Sequence, residues 1–408
     1  MNYNTNNKLV LFGAGKIGRS FIGQLFSRGG YEVVFIDIDK NIIDELNIRN
    51  NYNVIIKSEK DEILNIKNVR GVLSSDVSKV ADEIATASIL AVSVGANVMA
   101  KIAPVVAKGL LLRYDATKDN PLDIILAENL RDAAPFFRKK ILPFLPADYP
   151  FNKLVGLIET SIGKMVPIMM EKDIEIDILQ VFAEPYNNLI LDKEAFKNSI
   201  PQIAGLSPKE NIKAWVDRKL FIHNLGHATA AYLGYIYNPN FNYLYEVLEI
   251  PDIRNAVRNT MLQAATILCA KYPDDFTMET LVVHIDNLLF RFQNRALGDT
   301  VFRVGCDLMR KLSTMDRLAG AIHLAKKLNL PYDRILYSWV CGCFFRATDE
   351  NGKLFMSDVE FITIAEKGVK EVLEKIGGFS EQVDQDLFEY AESVEKDVFL
   401  LKSGLTER

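Results

Sequence analysis

Three polar side chains, Lys219, Asn224 and His227, interrupt a segment of apolar and small residues that runs from Asp217 to Tyr235. In a helix, at about 100° per residue, these positions fall within an arc of about 140°, so the side chains can converge on one pocket. Together they offer an amine, an amide and an imidazole, which are groups that transfer protons and bind hydroxyls. A helix with a few capped or exposed polar residues is the structural alternative.

A second chemical signal is the glycine-rich segment GAGKIG at residues 13–18, which follows an apolar run and precedes a segment with helical spacing. In such a strand–turn–helix, the first glycine permits a tight turn and the second admits a pyrophosphate close to the backbone. The third lets the helix pack on the strand, and the helix N-terminus faces the negative charge. The predicted ligands of the dinucleotide phosphates are Gly13, Gly15, Lys16, Ile17 and Gly18.

Asp37 ends the second apolar run of the chain. A carboxylate there can accept hydrogen bonds from the ribose diol of adenosine, and it would repel the 2′-phosphate of NADP. Asp39 competes for the same role, and a solvated aspartate at a strand end is the structural alternative. The predicted cofactor is therefore NAD, with Asp37 as the ribose ligand.

Apolar runs that alternate with helix-like segments indicate a parallel α/β sheet that positions this turn. The four runs are Lys8–Phe12, Glu32–Asp37, Ala87–Val94 and Asp123–Glu128. Between the second and the third, residues 53–57 and 61–73 look like an inserted hairpin. Two later runs, Leu154–Thr160 and Ile174–Phe182, are expected to extend the first sheet.

A change in pattern near residue 205 predicts the domain junction. Ser207, Pro208 and Glu210 stand at the N-cap, first and third positions of a helix start. The predicted domains are 1–205 and 206–408, and the fold class is α/β, with an N-terminal Rossmann-type doubly wound sheet and an all-helical C-terminal domain. The predicted helices of the second domain are 208–237, 251–272, 276–292, 299–311, 313–328, 331–346, 358–376 and 380–400.

The composition is that of an ordinary globular protein. The 408 residues include 49% hydrophobic and 25% charged residues, and the formal net charge is −5. With no long run of one sign, the charge pattern argues against nucleic-acid binding. The sequence has neither the pattern of a signal peptide nor an apolar stretch of membrane-spanning length, so we predict no membrane interaction and a cytoplasmic location.

Neither the cysteines nor the histidines predict a metal site. The spacing of the four cysteines matches neither a disulfide framework nor a zinc knuckle, so we expect reduced core thiols. His223 and His227 form the one close histidine pair, and it lacks the intervening glutamate of a metalloprotease helix. No metal ligand is predicted.

Four separated segments resemble the polyol-specific long-chain dehydrogenase/reductase (mannitol dehydrogenase) family. Lys219, Asn224 and His227 match its K-x4-N-x2-H motif. The other three segments are similar to its opening, its fourth-strand segment and its C-terminal signature: Gly13–Gly23, Ile124–Leu130 and Arg291–Leu318. The matches stand in the right order and span nearly the whole chain, so the resemblance is specific.

The resemblance implies a metal-independent hydride transfer between NAD and a polyol carbon, with the interconversion of mannitol 1-phosphate and fructose 6-phosphate as the expected reaction. Lys219 is then the general base, and its pKa must lie well below that of a free lysine. Asn129 and Asn224 are implied to donate hydrogen bonds to the reacting oxygen, and His227 to orient the neighbouring hydroxyl. For Asn129, a helix N-cap is the structural alternative.

Lys164, Arg303 and Lys311 are the predicted substrate-binding residues. Arg303 and Lys311 match basic residues of the family and are expected on one helical face, where an Arg303–Asp307–Lys311 ladder of surface ion pairs is the alternative. Two departures fall in the same regions, because Gly163-Lys164 replaces an Asp-Arg pair and Cys306 replaces an arginine. They leave three alternatives open: an unphosphorylated polyol, a hexuronate such as tagaturonate or fructuronate, and an NAD-binding regulator without catalysis. The predicted partner is a sugar alcohol or sugar phosphate, and a monomer is plausible.

Overall fold

The structure of the chain is a computed structural model, and it describes residues 7–403. The chain forms two compact units that divide between Val216 and Asp217. The first unit contains two β-sheets with surrounding helices, and the second unit is built from helices. This architecture confirms the predicted fold class. Within the described range, no helix combines the length and the apolar character that crossing a membrane requires.

The main sheet has the strand order β11-β10-β8-β7-β6-β1-β2-β5, and a small sheet has the order β4-β3-β9. The strands are β1 (Lys8–Phe12), β2 (Glu32–Asp37), β3 (Asn51–Ile56), β4 (Glu62–Lys67), β5 (Val69–Leu73), β6 (Ile89–Val92), β7 (Leu122–Leu126), β8 (Val155–Ile162), β9 (Val181–Ala183), β10 (Leu189–Asp192) and β11 (Leu206–Lys209). From β5 to β8 all neighbours are parallel, and β1 lies between β2 and β6. The chain reverses its direction of strand addition at β1, which is the arrangement of a doubly wound sheet.

Helices cover both faces of the main sheet because alternate residues of each strand point to opposite faces. Leu9 and Leu11 belong to one apolar core, with helical residues between Phe21 and Phe26. Val10 and Phe12 belong to the other core. The helices of the first unit are α1 (Gln24–Arg28), α2 (Lys40–Arg49), α3 (Val77–Ala85), α4 (Ala96–Ala116), α5 (Ala133–Ile141), α6 (Phe151–Leu154) and α7 (Glu171–Ile176).

Two sequence predictions within the first unit were wrong. Residues 61–73 are two strands, of which only β4 forms the hairpin with β3, whereas β5 joins β2 in the main sheet. The run Ile174–Phe182 does not extend the main sheet, since it contains the end of α7 and then β9, which pairs with β3. A short apolar run does not reveal which strand it pairs with, because the pairing is set by tertiary contacts.

The predicted helix start at Ser207 is also wrong. Ser207 and Pro208 lie in β11, which pairs with β10, and the next helix begins at Ile212. Because β11 is the last strand in the order of its sheet, Pro208 stands on an edge strand, where the missing backbone N–H is tolerated. The same residue types therefore suit a helix N-terminus and an edge strand.

The remaining helices begin with one that crosses the division between the two units, and the others build the second unit, which is helical as predicted. They are α8 (Ile212–Arg218), α9 (Leu225–Tyr237), α10 (Leu244–Glu249), α11 (Pro251–Lys271), α12 (Met278–Phe292), α13 (Val301–Gly305), α14 (Leu308–Lys311), α15 (Ala319–Lys327), α16 (Asp333–Cys343), α17 (Met356–Ala365), α18 (Val369–Val372) and α19 (Gln385–Ser403). Between α8 and α9, residues Lys219–Asn224 continue the helix as a π-helical segment. The four cysteines are free thiols, and Cys306, Cys341 and Cys343 are buried.

The helix predicted over residues 299–311 is broken in two. Asp307 separates α13 from α14 with a φ of 71°, in the left-handed region that interrupts a helix. The prediction that Arg303 and Lys311 share the face of one continuous helix is therefore wrong. The change of direction is held by Asp358, whose carboxylate accepts hydrogen bonds from the backbone N–H groups of Asp307 and Leu308.

Candidate active site

The glycine-rich turn after β1 has the geometry that a dinucleotide requires. Gly13 has a φ of 99°, and a side chain at Gly18 would place its Cβ 2.0 Å from the carbonyl oxygen of Gly13. Both glycines are therefore required by the protein itself. A Cβ at Gly15 would meet nothing within 4 Å, so the absence of a side chain there leaves open space above the turn. That space fits the close approach of a pyrophosphate.

The other residues of the turn have distinct surroundings. Lys16 is exposed, and Ile17 is half-buried against the core, just before the π-helical segment Gly18–Gly23 that leads into α1. Arg19 is buried beneath the turn, where its guanidinium donates hydrogen bonds to the carbonyl oxygens of Ala14, Ile178 and Leu179. Burial lowers the pKa of Arg19, against the influence of nearby carboxylates. Arg19 was not predicted, and it stabilises the turn from the protein side.

Asp37 at the end of β2 and Asp39 just after it have different roles. The Asp37 carboxylate accepts a hydrogen bond of 2.6 Å from the backbone N–H of Ala14 and another from the N–H of Asp39. The Asp39 carboxylate accepts hydrogen bonds from the N–H groups of Asn41 and Ile42, so it caps α2. This arrangement favours Asp37 as the ribose ligand, because the side chain of Asp39 is engaged in the helix cap.

Asn129 follows the carboxyl end of β7, beside a buried carboxylate. Glu128 accepts hydrogen bonds from the backbone N–H groups of Val94 and Gly95, which lie just after the neighbouring strand β6. Burial raises the pKa of Glu128, and these two hydrogen bonds oppose the shift. Asn129 is not the N-cap of the next helix, because α5 begins after Asp132. The structural alternative for Asn129 was therefore wrong.

Lys164 is buried in the first unit. Its ammonium donates hydrogen bonds to the carbonyl oxygen of Tyr186 and to Oδ1 of Asn187, and it lies 5.2 Å from the ring centroid of Phe21. The side chain thus ties the segment after β8 to the loop before β10. Its predicted contact with substrate stays a prediction.

Lys219 and Asn224 stand at the two ends of the π-helical segment between α8 and α9. A π-helical turn is wider than an α-helical turn, and such segments are frequent at functional sites. Lys219 is partly buried, and burial lowers its pKa to about 8, with a further contribution from the cationic Arg317. The lysine is therefore poised to exchange a proton near neutral pH.

Arg317 interacts with the predicted catalytic and substrate-binding residues of this unit. Its guanidinium donates a hydrogen bond to the carbonyl oxygen of Asn224, and its charge lowers the pKa values of Lys219, His227 and Lys311. No role was predicted for Arg317 from the sequence. It occurs in a segment that the family resemblance had already marked, and this is the signal that could have found it.

His227 is held between an aromatic ring and a carboxylate. Its imidazole stacks on Phe292 at a centroid distance of 4.4 Å, and its Nε2 lies 3.2 Å from Oδ2 of Asp299. Burial lowers the pKa of His227 well below its usual value, and the nearby cations, first Arg303 and then Arg317, add to the shift. The imidazole is therefore neutral at physiological pH.

Arg303 and Lys311 do not form the surface ladder with Asp307 that was the structural alternative to their substrate role. Arg303 forms an ion pair with Asp299, and Asp307 pairs with Arg310. The Lys311 ammonium donates a hydrogen bond of 2.7 Å to the carbonyl oxygen of Val304. Lys311 is 6% exposed, and burial lowers its pKa to about 7, so the surface-ladder alternative is wrong.

The histidine pair does not belong to a larger ligand cluster. The rings of His223 and His227 have their centroids 5.9 Å apart in an edge-to-face arrangement. Across residues 7–403, no group of three or more His, Cys, Asp or Glu side chains is placed to hold a metal ion.

The doubly wound sheet, its glycine-rich turn and the acidic end of β2 define a dinucleotide-binding protein with a helical second unit. Sequence profiles identify the family. The profile described as the mannitol dehydrogenase Rossmann domain matches residues 7–205, and the profile of the mannitol dehydrogenase C-terminal domain matches residues 211–398. The chain belongs to the mannitol dehydrogenase family, which confirms the resemblance of its four sequence segments.

Curated relatives match nearly the whole chain. The mannitol-1-phosphate 5-dehydrogenase of Caldanaerobacter subterraneus subsp. tengcongensis is 32% identical over 401 residues, which cover 98% of this chain and 99% of the relative. The enzyme of the same name from Buchnera aphidicola subsp. Acyrthosiphon pisum is 31% identical over 90% of this chain and 93% of its own length.

Two solved structures share the fold. A substrate-free D-sorbitol dehydrogenase has a TM-score of 0.80 at 17% identity, covering 97% of this chain and 94% of its own. The mannitol 2-dehydrogenase of Pseudomonas fluorescens, solved with NAD and D-mannitol, has a TM-score of 0.70 at 15% identity, covering 98% and 94%.

Proposed function

We propose that the protein is an NAD-dependent polyol dehydrogenase that interconverts mannitol 1-phosphate and fructose 6-phosphate, with Lys219 as the general base. The observation that carries the proposal is the environment of Lys219, because burial and Arg317 lower its pKa to about 8. A lysine in this state can accept a hydroxyl proton at physiological pH. The family and the names of the full-length relatives provide the reaction class.

NAD fits the residues of the first unit. The open space at Gly15 suits a pyrophosphate, with Gly13, Lys16, Ile17 and Gly18 forming the rest of the turn, and Asp37 suits a ribose diol. When bound, NAD accepts the hydride that leaves the hydroxyl-bearing carbon. We propose residues 1–205 as the coenzyme domain and 206–408 as the domain that supplies the base.

The protein side chains accept the proton of the reacting hydroxyl and stabilise its oxygen. Lys219 takes the proton from the substrate hydroxyl, while the hydride leaves the carbon of the same hydroxyl. Asn129 and Asn224 donate hydrogen bonds to the oxygen as its negative charge develops, which stabilises the transition state. His227 binds a neighbouring hydroxyl and orients the sugar chain. In the reverse direction, Lys219 returns the proton to the carbonyl oxygen.

A phosphorylated substrate agrees with the basic residues that surround His227. Arg303, Lys311 and Arg317 are close enough to His227 to lower its pKa electrostatically. Such a group of cations favours an anionic substrate, and arginine in particular suits phosphate. We propose Arg303 and Lys311 as substrate ligands, with Lys164 as a further candidate from the first unit. A cytoplasmic location is part of the same proposal.

The test compares carbonyl substrates in parallel. Purified protein is incubated with NADH and fructose 6-phosphate, fructose or tagaturonate, and the oxidation of NADH is followed. We expect turnover with fructose 6-phosphate at a kcat/KM well above the values for the other two. Faster turnover of fructose or tagaturonate would replace the phosphorylated substrate with an unphosphorylated polyol or a hexuronate. Tight NADH binding without turnover on any of the three would contradict the enzyme proposal and favour a regulator.

A further inference from the structure

Asp299 is a buried carboxylate that contacts two of the proposed substrate-binding side chains. It is 5% exposed, its Oδ1 forms an ion pair with Arg303, and its Oδ2 lies 3.2 Å from Nε2 of His227. Burial of a carboxylate is costly unless its charge is balanced and its oxygens are bound. The proposed reaction gives Asp299 no direct task, so its burial between these residues requires another explanation.

The backbone of Asp299, which lies in the loop before α13, is fixed by contacts with a distant part of the chain. Its carbonyl oxygen accepts a hydrogen bond of 2.9 Å from the N–H of Leu244. The next residue, Thr300, forms a β-bridge with Tyr243, and its hydroxyl caps α13 by accepting a hydrogen bond from the N–H of Arg303. The carboxylate is therefore mounted on a rigid part of the second unit and can hold other side chains in place.

His227 and Asp299 each have a buried polar atom that lies next to the other residue. Nε2 of His227 and Oδ2 of Asp299 are fully buried, and neither has a hydrogen-bond partner among residues 7–403. The two atoms lie 3.2 Å apart without forming a hydrogen bond. Contacts of this kind commonly tighten when a substrate binds.

The carboxylate also decides where the imidazole proton resides. A neutral imidazole has one N–H, and a carboxylate facing Nε2 favours the tautomer whose proton is on Nε2. The lone pair then remains on Nδ1, which can accept a hydrogen bond from a sugar hydroxyl. Phe292 restricts rotation of the ring by stacking on its face.

We infer that Asp299 is a positioning residue that fixes the tautomer of His227 and the direction of the Arg303 guanidinium, so that both side chains bind one sugar substrate in a defined geometry. This inference rests on the proposed function for the identity of the substrate. It goes beyond that function because it assigns a role to Asp299, which acts on the substrate only through His227 and Arg303. Its removal is expected to affect the binding of sugar and to spare the binding of NADH.

The kinetic test uses Asp299→Asn, which keeps the size of the side chain and removes its charge. The amide oxygen can satisfy only one of His227 and Arg303. We expect KM for the sugar substrate to rise about tenfold or more, the effect that is usual when a residue that orients a metal ligand is replaced. The KM for NADH should stay within about twofold, since a specific loss at the sugar site leaves coenzyme binding intact.

The matched control is Asp286→Asn, which breaks an exposed ion pair with Arg258 in the same unit. It should leave both KM values and the melting temperature near those of the wild type, because exposed ion pairs contribute little. An unchanged sugar KM in Asp299→Asn, or equal increases in both KM values, would overturn the positioning role.

A spectroscopic test does not depend on turnover. The chain has four histidines, so the ¹⁵N signals of the His227 ring can be assigned by comparison with a His227→Asn variant. We expect a neutral ring with its proton on Nε2. A ring with its proton on Nδ1 would overturn the inference even if the protein reduces fructose 6-phosphate. Conversely, the Nε2–H tautomer without turnover on any sugar would contradict the proposed function and still support the effect of Asp299 on His227, which Asp299→Asn should then abolish.

Discussion

Oδ2 of Asp37 accepts a hydrogen bond of 2.6 Å from the backbone N–H of Ala14, so the carboxylate at the end of β2 is joined to the glycine-rich turn after β1. The two strands are parallel neighbours, and their register places Phe12 opposite Ile36. The carboxylate thus has a fixed position beside the turn that suits the pyrophosphate. This relationship provides a direct test of the coenzyme.

Replacing Asp37 by alanine should weaken the binding of NADH and reduce the preference for NADH over NADPH. A hydrogen bond to a charged group contributes about 1.5–3 kcal/mol, so we expect KM for NADH to rise about tenfold or more. The loss of the carboxylate also removes its repulsion of a 2′-phosphate. The measurement is kcat/KM with each coenzyme at saturating sugar substrate.

The control for this variant is Asp39→Ala. Asp39 caps α2, so its loss should cost about 1 kcal/mol of stability and leave the ratio of the two coenzyme efficiencies unchanged. If Asp37→Ala keeps the wild-type ratio, or if Asp39→Ala changes it more, the assignment of Asp37 is wrong.

Two glycines of the turn should respond differently to alanine. Gly15→Ala meets no protein atom within 4 Å, so the melting temperature should stay near the wild-type value while the affinity for NADH falls about tenfold or more. Gly18→Ala places Cβ 2.0 Å from the Gly13 carbonyl oxygen and should destabilise the fold by about 2 kcal/mol or more. Melting curves and NADH titrations measure both effects. A Gly15→Ala protein that binds NADH as the wild type does would place the pyrophosphate elsewhere.

The burial of Lys311 predicts a dependence of stability on pH. The folded-state pKa of about 7 lies below the usual 10.5, so the unfolded state binds more protons between these values. The free energy of unfolding contributed by this group therefore rises with pH in that window. Between pH 7 and 9 the wild type should gain about 2 kcal/mol more than Lys311→Met.

Denaturant unfolding at several pH values measures this difference. Lys327→Met is the control, because Lys327 is exposed in α15 of the same unit, and it should show the pH dependence of the wild type. Parallel curves for Lys311→Met and the wild type would show that the folded-state pKa of Lys311 is ordinary.

Much of the main sheet could be predicted from the sequence. The runs Lys8–Phe12 and Glu32–Asp37 match β1 and β2 residue for residue, because strands buried on both faces are continuous apolar segments. The errors arose where local signals are ambiguous. Ser207 and Pro208 suit a helix start as well as an edge strand. Strand β9 has only three residues, which is too few to predict the strand with which it pairs.

The site could be predicted only in part. The glycine-rich turn and the motif of Lys219, Asn224 and His227 are sequential patterns, so they are visible in the chain. Asp299 and Arg317 are brought to His227 by tertiary structure, and no spacing relates them to it. The i,i+4 relation of Asp299 to Arg303 was present in the sequence, but Asp307 offered the same spacing on the other side.

The pKa of Lys219 predicts opposite pH profiles for the two directions of the reaction. Oxidation needs the neutral amine, so its kcat/KM should rise with pH and level off above about 8. Reduction needs the ammonium as the acid, so its kcat/KM should fall as the pH rises through the same value. Profiles that show no ionisation near 8 in either direction would contradict this assignment.

Lys219→Ala tests the role of the base most directly. We expect kcat to fall by about 10²–10⁴-fold, the usual contribution of a general base, while NADH binding measured by fluorescence titration stays within about twofold of the wild type. Lys213→Ala removes an exposed lysine of α8 and should behave as the wild type in both measurements. Turnover by Lys219→Ala at the wild-type rate, with NADH bound normally, would show that another group takes the proton.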